Sequence, residues 1–387
     1  MSILLLLTNP VQVVQTTFLE PGGDADFAVT TTDGFWGNLT NTPYIATDFV
    51  HGSHLRSIGY RPSFQDLVHT PTTTLLSAGS RFSFYGYFDV LPATSTATFV
   101  SVANTGSGVV CNIRLTTAGA LQLWSTSAQI GTNGPTLSVG VYYRISLAYT
   151  IVSTTINRFE LFVDTVSAIS VTNATISFAD PSKIIIGNYN TNTGLNFRSS
   201  DHYVDNSVSL TDTGNIWVTA KRPNANGTTN GFTTQIGAGG SGYGSGHSPQ
   251  VNERALSITN GWSMVGAGAA ITEEYNIEVK ATGDTNITTG TIIDYMGWVS
   301  AKALVAAGAN IKLNGVSTAI SLTTAATVFT KMAGSTTYPA GTGSDIGIIT
   351  DTTLTTVSLY EAGIIVAYIP GATGGNNNQR FMLMGVG

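Results

Sequence analysis

Charged residues are scarce in this sequence. Lys and Arg number 16 and Asp and Glu number 22, so charged residues make up 10% of the 387 residues, against about 25% in an average soluble protein. Lys and Glu favour helix and solvate exposed helical faces, so their scarcity predicts that helix is minor. The net charge is −6 and no basic run occurs, which excludes the electrostatic footprint of a nucleic-acid or membrane partner.

Cysteine is nearly absent as well. Cys111 stands alone, so no intrachain disulfide forms, and stability has to come from packing or from assembly. It follows Val109 and Val110 and is expected to be a small buried hydrophobe. The apolar run at residues 3–7 has no positive charge before it and is too short for a signal peptide or a membrane span. We expect a protein that is made in a bacterial cytoplasm without either segment.

Short segments of alternating hydrophobicity lie between clusters of Gly, Thr, Ser and Asn. In the first of them Phe82, Phe84, Phe88 and Val90 share one face, which predicts a half-buried strand. Short strands at such intervals are typical of a sandwich or jelly roll. The segments of this first set are 81–90, 142–151, 158–164 and 183–188.

A second set of strands is predicted at 216–221, 274–279, 291–304 and 355–369. In 274–279, Glu274 and Glu278 alternate with apolar residues and are expected on a common solvent face. A chain of this length exceeds what one hydrophobic core usually serves. The sequence therefore predicts an all-β chain of two β-sandwich or jelly-roll domains. Their bounds are 1–212 and 213–370, followed by a Gly- and Asn-rich tail, 371–387, that is expected to order only against a neighbour.

Five motifs follow one another along the first domain. In this order and spacing they resemble the laminin-G or concanavalin A-like jelly roll as it occurs in phage structural proteins. The resemblance implies a concanavalin A-like first domain, with Thr165 standing where that family has Gly after Val-Asp. The motifs are Phe82 to Val90, Tyr143-Arg144-Ile145, a strand at 159–164 ending in Val163-Asp164, Ile185-Ile186-Gly187 and Tyr203-Val204-Asp205-Asn206.

Three further motifs extend the resemblance into the second domain. They are Trp217 to Gly227, where a strand enters a Pro- and Asn-rich loop, then Val251-Asn252-Glu253, then Glu361-Ala362-Gly363. Phage proteins with this type of N-terminal domain often continue with a second β domain that carries such motifs in this order. The whole set resembles bacteriophage virion structural proteins and implies a place on the outside of the particle.

The sequence lacks the catalytic signature of glucanases with a concanavalin-like fold. Those enzymes supply two carboxylates from one strand as Glu-x-Asp-x-x-Glu, and the motif is absent here. The nearest spacing, Asp24 and Asp26, follows Pro21-Gly22-Gly23, and a turn accounts for it. We expect that the chain is not an enzyme and that it has no catalytic or cofactor-binding residue.

Metal and phosphate sites are not predicted either. His51 and His54 lie three residues apart with Asp48 close by, but two histidines do not make a metal site, and surface histidines are expected. The acidic residues around them are expected to be solvated loop carboxylates. Residues 237–246 are rich in glycine but lack the Lys-Ser or Lys-Thr of a phosphate loop, so a flexible loop is expected.

Two functional expectations follow. The first is a structural protein on the exterior of a phage particle, as a head decoration, spike or fibre component, which assembles as a homo-oligomer onto capsid or tail proteins. The second is a tail adhesion module that binds host surface glycan, because Tyr85, Tyr87, Tyr142 and Arg144 project from the outward faces of predicted strands, where rings stack on sugars. The competing interpretation of that face is that other strands or the second domain cover it.

Overall fold

The computed structural model describes most of the strand-forming part of the chain. Every element in it is a strand, and within the described part no helix is long and apolar enough to span a membrane. Residues Asp24, Asp26, Asp48, His51 and His54, the loop 238–246, the motif 251–253 and the tail from residue 372 lie outside the described residues. The described residues are 3–7, 36–40, 44–46, 57–60, 65–69, 78–104, 108–153, 156–175, 181–188, 194–221, 223–237, 261–265, 268–277, 289–339, 345–351 and 355–371.

The strands fall into two groups along the chain. The first group is β1 (Ile3–Leu7), β2 (Trp36–Thr40), β3 (Tyr44–Ala46), β4 (Ser57–Tyr60), β5 (Gln65–His69), β6 (Gly79–Val90), β7 (Ala97–Asn104), β8 (Val109–Leu115), β9 (Leu121–Trp124), β10 (Gln129–Ile130), β11 (Tyr142–Ile151), β12 (Ile156–Val163), β13 (Val166–Thr175), β14 (Pro181–Asn188) and β15 (Asn196–Asp205). The second group is β16 (Trp217–Lys221), β17 (Pro223–Asn230), β18 (Thr234–Ile236), β19 (Gly261–Met264), β20 (Thr272–Ile277), β21 (Thr291–Ala303), β22 (Ala307–Leu313), β23 (Val316–Leu322), β24 (Thr327–Met332), β25 (Ile346–Thr350) and β26 (Val357–Ile369).

The first group forms two antiparallel sheets that pack face to face as a jelly roll. Sheet 1 has the strand order β10-β9-β8-β7-β14-β5-β2, and sheet 2 has the order β13-β12-β11-β6-β15-β4-β3, with β1 also paired to β15. Three phenylalanine rings meet between the sheets. The ring centroid of Phe88 lies 5.5 Å from that of Phe99 and 5.7 Å from that of Phe197, and the centroids of Phe99 and Phe197 are 5.8 Å apart. Aromatic pairs favour separations in this range. The alternating apolar residues of the two sheets thus build one core between them.

The second group forms another sandwich. Sheet 3 has the order β18-β19-β26-β21-β24, with β16 also paired to β26, and sheet 4 has the order β17-β20-β25-β22-β23. Its centre is the pair of β21 and β26, each 13 residues long. Tyr295 and Val299 of β21 pack in one cluster with Ile311 and Ile348 of sheet 4. The second core therefore lies between sheets 3 and 4.

Sheet 3 is buried on both of its faces. Tyr295 and Val299 belong to the core shared with sheet 4, whereas Met296 and Trp298, one residue along the strand, belong to the cluster of the jelly roll. Ile365 of the neighbouring β26 joins that same cluster. Alternation along a strand sends successive side chains to opposite faces. The four sheets are therefore stacked in numerical order, and sheets 2 and 3 cover each other.

A glycine makes room for the largest side chain in this contact. Trp298 of β21 lies opposite Gly363 of β26. A Cβ atom at Gly363 would be 3.0 Å from Cε2 and Cζ2 of the indole and 3.0 Å from the carbonyl oxygen of Lys221, closer than ordinary van der Waals contact. The glycine of the Glu361-Ala362-Gly363 motif thus has a packing role, because the indole lies over its backbone.

The predicted strands agree with the observed ones, but the expected half-burial of residues 81–90 is wrong. This segment is β6, and it is buried on both faces because sheet 3 covers the side that was expected in solvent. Val90, predicted in the core, is exposed at the end of the strand. The predicted domain boundary at 212/213 falls in the connection between β15 and β16, residues 206–216.

Glu274 is also placed differently from the expectation of a solvent face. It is 1% exposed and forms an ion pair with Lys312 of β22. Gly347 of the intervening strand β25 lies opposite both residues. Because Gly347 has no side chain, the carboxylate and the ammonium group meet across it, and the pair is satisfied inside the protein.

Replacing Trp298 by Ala tests the shared core of sheets 2 and 3. The free energy of unfolding is expected to fall by about 3 to 5 kcal/mol, because a large buried side chain is lost and a cavity remains. Equilibrium denaturation in urea measures it. Val305→Ala, at an exposed position after β21, is the control and should change the free energy by about 0.5 kcal/mol or less. Equally small effects at both positions would contradict a tightly packed contact.

Candidate functional site

The four side chains that were predicted to contact glycan lie together on the face of sheet 2 that sheet 3 covers. Tyr85 and Tyr87 project from β6, and the register places Arg144 opposite Tyr85 and Tyr142 opposite Tyr87. Arg144 is 1% exposed, Tyr85 6% and Tyr87 8%, while Tyr142 is partly exposed. The structure therefore brings the four side chains together, but it buries three of them.

Arg144 fixes the connection between the two sandwiches. Its Nη1 lies 3.0 and 2.9 Å from the two carboxylate oxygens of Asp212, and its Nη2 lies 3.0 Å from Oδ1. The guanidinium also donates to Oγ1 of Thr213. Oδ2 of Asp212 accepts the backbone N–H of Gly214 at 3.1 Å. Such forked, charge-assisted bonds are strong and directional, so they hold residues 212–214 against sheet 2.

Tyr85 extends the same contact toward the second sandwich. Its hydroxyl donates to Oδ1 of Asn215, two residues before β16 begins at Trp217. Burial raises the pKa of Tyr85, which keeps the phenol neutral. The polar end of this ring is therefore engaged by the protein itself.

A second ion pair closes the contact where β15 ends. Nη2 of Arg81 lies 2.7 Å from Oδ2 of Asp205, and Nε lies 3.2 Å from both carboxylate oxygens. The hydroxyl of Tyr203 donates to Oδ2 at 3.0 Å, and the backbone N–H of Ser207 donates to Oδ1 at 2.8 Å. The carboxylate of the Tyr203-Val204-Asp205-Asn206 motif thus stabilises the fold at this point.

A β-bulge in β15 sends two neighbouring polar side chains to opposite faces of sheet 2. Asp201 has φ of 52°, in the left-handed region, and the pairing with β6 is interrupted here. Its Oδ1 accepts the backbone N–H of Val218 of β16 at 2.7 Å. His202 points the other way and stacks on Phe84 of the jelly-roll core, with 6.1 Å between the ring centroids. The bulge re-aims Asp201 to join the two sandwiches.

These contacts make the covered face of sheet 2 a polar seam, which we define by Arg81, Tyr85, Arg144, Asp201 and Asp205 with the residues they bind. The seam offers no open aromatic surface on which a sugar ring can stack. The expectation of exposed glycan-contact residues at Tyr85, Tyr87 and Arg144 is corrected accordingly, because the second sandwich covers them. What the seam does is fix one sandwich on the other.

The described residues offer no metal centre. Among them no group of three or more His, Cys, Asp or Glu side chains is placed to hold a metal ion. Cys111 is buried, as predicted, and burial raises the pKa of its thiol. A protonated, enclosed thiol is a poor nucleophile and a poor ligand.

Sequence reasoning missed a polar cluster on the outer face of sheet 1. Leu121 and Leu123 of β9 point into the jelly-roll core, so the residues between and after them point away. The alternation of Leu121 and Leu123 with Gln122 and Trp124 could have indicated a strand with one polar face. Nothing in the sequence, however, indicates that this short strand pairs with β8. We call the group the Trp124 cluster; its members are Arg114, Gln122, Trp124, Gln129 and Asn133.

Comparisons with known proteins give similarity to solved structures only. No family profile and no curated protein sequence matches the chain. A Trypanosoma rangeli sialidase in complex with 2,3-difluorosialic acid is 11% identical, with a TM-score of 0.32, over 39% of this chain and 25% of the sialidase chain. An endo-beta-1,4-glucuronan lyase from the fungus Trichoderma reesei is 14% identical (TM-score 0.36; 46% of this chain, 93% of the lyase). An alginate lyase from Corynebacterium sp. is 10% identical (TM-score 0.31; 43% and 82%).

These neighbours contradict the expectation that the chain is not an enzyme. By their names, the sialidase and the two lyases are enzymes that act on glycans. The expectation rested on one missing motif, Glu-x-Asp-x-x-Glu, and a fold of this kind carries many different sites. The expectation that the chain is not an enzyme is therefore withdrawn. At this level of identity the similarity concerns the fold, and no catalytic residue is carried over to this chain.

Replacing Arg144 by Met tests the seam. The variant leaves Asp212 without its cation, and breaking a buried ion pair from one side costs about 3 to 5 kcal/mol. We expect the free energy of unfolding, measured in urea, to fall by that amount. Arg158→Met, on the exposed side of β12, removes the same charge and should change it by about 0.5 kcal/mol or less. If Arg144→Met proved as stable as the control, the seam would not hold the sandwiches together.

Proposed function

We propose that this chain is a structural component of the exterior of a bacteriophage particle and that it acts by assembly. Support comes from the sequence resemblance to phage virion proteins, from the charge-poor composition, and from the stacking of four sheets into one body. The observation that carries the proposal is an edge strand in sheet 4 that has no charged residue of its own.

β23 is the last strand of sheet 4, and among the described residues it pairs with β22 alone. Its sequence, VSTAISL, contains no charge and no proline, although proteins usually protect such edges with Lys, Pro or a bulge. Val316 is 61% exposed, and the following residues up to Ala319 are exposed too. An edge of this type either aggregates or serves as a contact site.

The turn before β23 sets which backbone groups are available at the edge. Asn314 and Gly315 have φ of 47° and 77°, as in the type I′ turn of a two-residue hairpin. The closing pair is Leu313 and Val316, and in such a hairpin it exchanges both hydrogen bonds. Every second residue after Val316 also forms its backbone hydrogen bonds with β22. The N–H and C=O groups of Ser317, Ala319 and Ser321 therefore point away from the sheet.

The partner that fits this edge best is a second copy of the chain. Two β23 strands related by a two-fold axis run antiparallel, and neither has a charged side chain of its own. The contact would join two copies of sheet 4 into one continuous sheet. The resulting oligomer would then dock on capsid or tail proteins through other surfaces.

Cryo-electron microscopy of intact particles tests the proposed location. Particles of the phage that encodes the chain are expected to show density of two stacked sandwiches on their exterior, present in symmetric copies. Peptides of the chain should accompany purified particles through a density gradient in a fixed ratio to the capsid protein. Purified particles that lack the chain would overturn the proposal.

Replacing Ala319 by Lys tests the edge contact. The residue is exposed, so the fold should survive, while a charge placed on each of two facing strands repels its copy. Native mass spectrometry is expected to show oligomers for the wild type and mostly monomer for the variant. Val166→Lys adds the same charge at an exposed position of β13 in the jelly roll and should leave the oligomer intact. A monomeric wild type, or an oligomeric Ala319→Lys variant, would exclude β23 as the contact.

A further inference from the structure

The Trp124 cluster occupies the outer face of sheet 1, at the opposite end of the stack from sheet 4. Gln122 and Trp124 come from β9, Arg114 from β8 and Gln129 from β10, three strands that are hydrogen-bonded side by side. All four side chains are partly exposed, and Asn133 in the following turn is exposed. The cluster is therefore open on a rigid sheet, unlike the seam.

Hydrogen bonds hold the amide groups of the cluster in place. Nε1 of Trp124 donates to Oε1 of Gln122 at 2.9 Å. Nε2 of Gln122 and Nε2 of Gln129 both donate to Oδ1 of Asn133, at 2.8 and 2.9 Å. This relay fixes the plane of the indole and the direction of the amides before any ligand arrives. Preorganisation of this kind lowers the entropic cost of binding.

Arg114 gives the cluster a positive charge, and its guanidinium lies over the indole. Its Cζ lies 4.3 Å from the centroid of the Trp124 ring, a cation–π distance. Its Nε is buried, and in the described part of the chain it has no hydrogen-bond partner. Burial lowers the pKa of Arg114. Because the Arg114 side chain is partly exposed, an anionic ligand can approach its guanidinium from solvent and pair with the charge.

We propose that the Trp124 cluster is a binding site for an acidic saccharide, a sugar ring that carries a carboxylate. Trp124 is partly exposed, and the part of the indole that Arg114 leaves uncovered supplies an apolar surface for a sugar ring. The guanidinium of Arg114 supplies the forked donors that match a carboxylate. The amides of Gln122, Gln129 and Asn133 supply donors and acceptors for hydroxyl groups.

The position of the site makes it independent of the proposed assembly through β23. Sheet 1 and sheet 4 are the two ends of the four-sheet stack, so a copy bound at the edge of sheet 4 does not cover the cluster. In a particle whose subunits join through sheet 4, the site would remain open to glycan. It therefore goes beyond the structural role, and either proposal stands without the other.

Titration with acidic oligosaccharides tests the proposal. The probes are short uronate and sialic-acid-bearing oligosaccharides, each compared with its carboxyl-reduced counterpart, and binding is measured by calorimetry and by saturation-transfer NMR. We expect at least one acidic probe to bind about ten- to a hundredfold more tightly than its reduced form, the range expected for one charge-assisted pair. Transfer should appear on the sugar ring protons, because they stack on the indole.

Two variants separate the roles within the cluster. Arg114→Gln is expected to reduce the preference for the acidic form to about that of the reduced form, because the cation is lost. Trp124→Ala is expected to weaken binding of both forms at least about tenfold. Arg158→Gln removes an exposed arginine from sheet 2 and should leave binding unchanged. Thermal melts followed by circular dichroism check that each variant is folded.

Three outcomes would overturn the proposal. They are the absence of binding by every acidic probe, equal affinity for the acidic and the reduced forms, and binding that survives in folded Arg114→Gln and Trp124→Ala variants. Equal losses in Arg114→Gln and Arg158→Gln would also exclude the cluster, since general charge attraction would then explain the binding. None of these outcomes bears on the edge contact of β23, which the oligomeric state tests separately.

Discussion

Charged groups on the facing surfaces of sheets 2 and 3 are costly to bury without partners, because the two sheets exclude water from each other. This constraint explains the chemistry of the seam. Arg144 pairs with Asp212, Arg81 pairs with Asp205, and Asp201 accepts a backbone N–H of the second sandwich. Apolar contacts around Trp298 supply the remaining area. The two sandwiches are thereby fixed as one stack, and the outer faces of sheets 1 and 4 remain as its ends.

Much of the fold could be predicted because short-range alternation sets each strand. Segments 81–90 and 142–151 match β6 and β11, and their core-facing residues lie in the jelly-roll cluster. What alternation does not report is whether the other face meets water or another sheet. Glu274 shows the limit, since its pairing with Lys312 depends on a glycine in a strand that lies far away in sequence. Such contacts are set by the tertiary register and leave no local pattern.

The candidate sites were harder to predict for the same reason. Tyr85, Tyr87 and Arg144 have the spacing of an exposed aromatic face, yet sheet 3 covers them. Trp124 and Arg114 carry little signal in the sequence, because β9 is only four residues long and the two residues meet only through the pairing of β8 with β9. A strand pattern thus identifies which residues share a face. The order of the layers decides which of those faces a ligand can reach.

The position of β14 and β15 in the jelly roll has a consequence for the order of folding during synthesis. β15 joins β1, β3 and β4 to the rest of sheet 2, and β14 does the same for β2 and β5 in sheet 1. β2 can pair with β5 and β3 with β4, but β1 and these two pairs have no connection to the rest of their sheets until residues 181–205 have left the ribosome. At translation rates of roughly 5 to 20 residues per second, that delay is on the order of ten seconds. During this time the apolar strand β1, ILLLL, is exposed, which makes chaperone binding or rapid self-association of the nascent chain a determinant of yield.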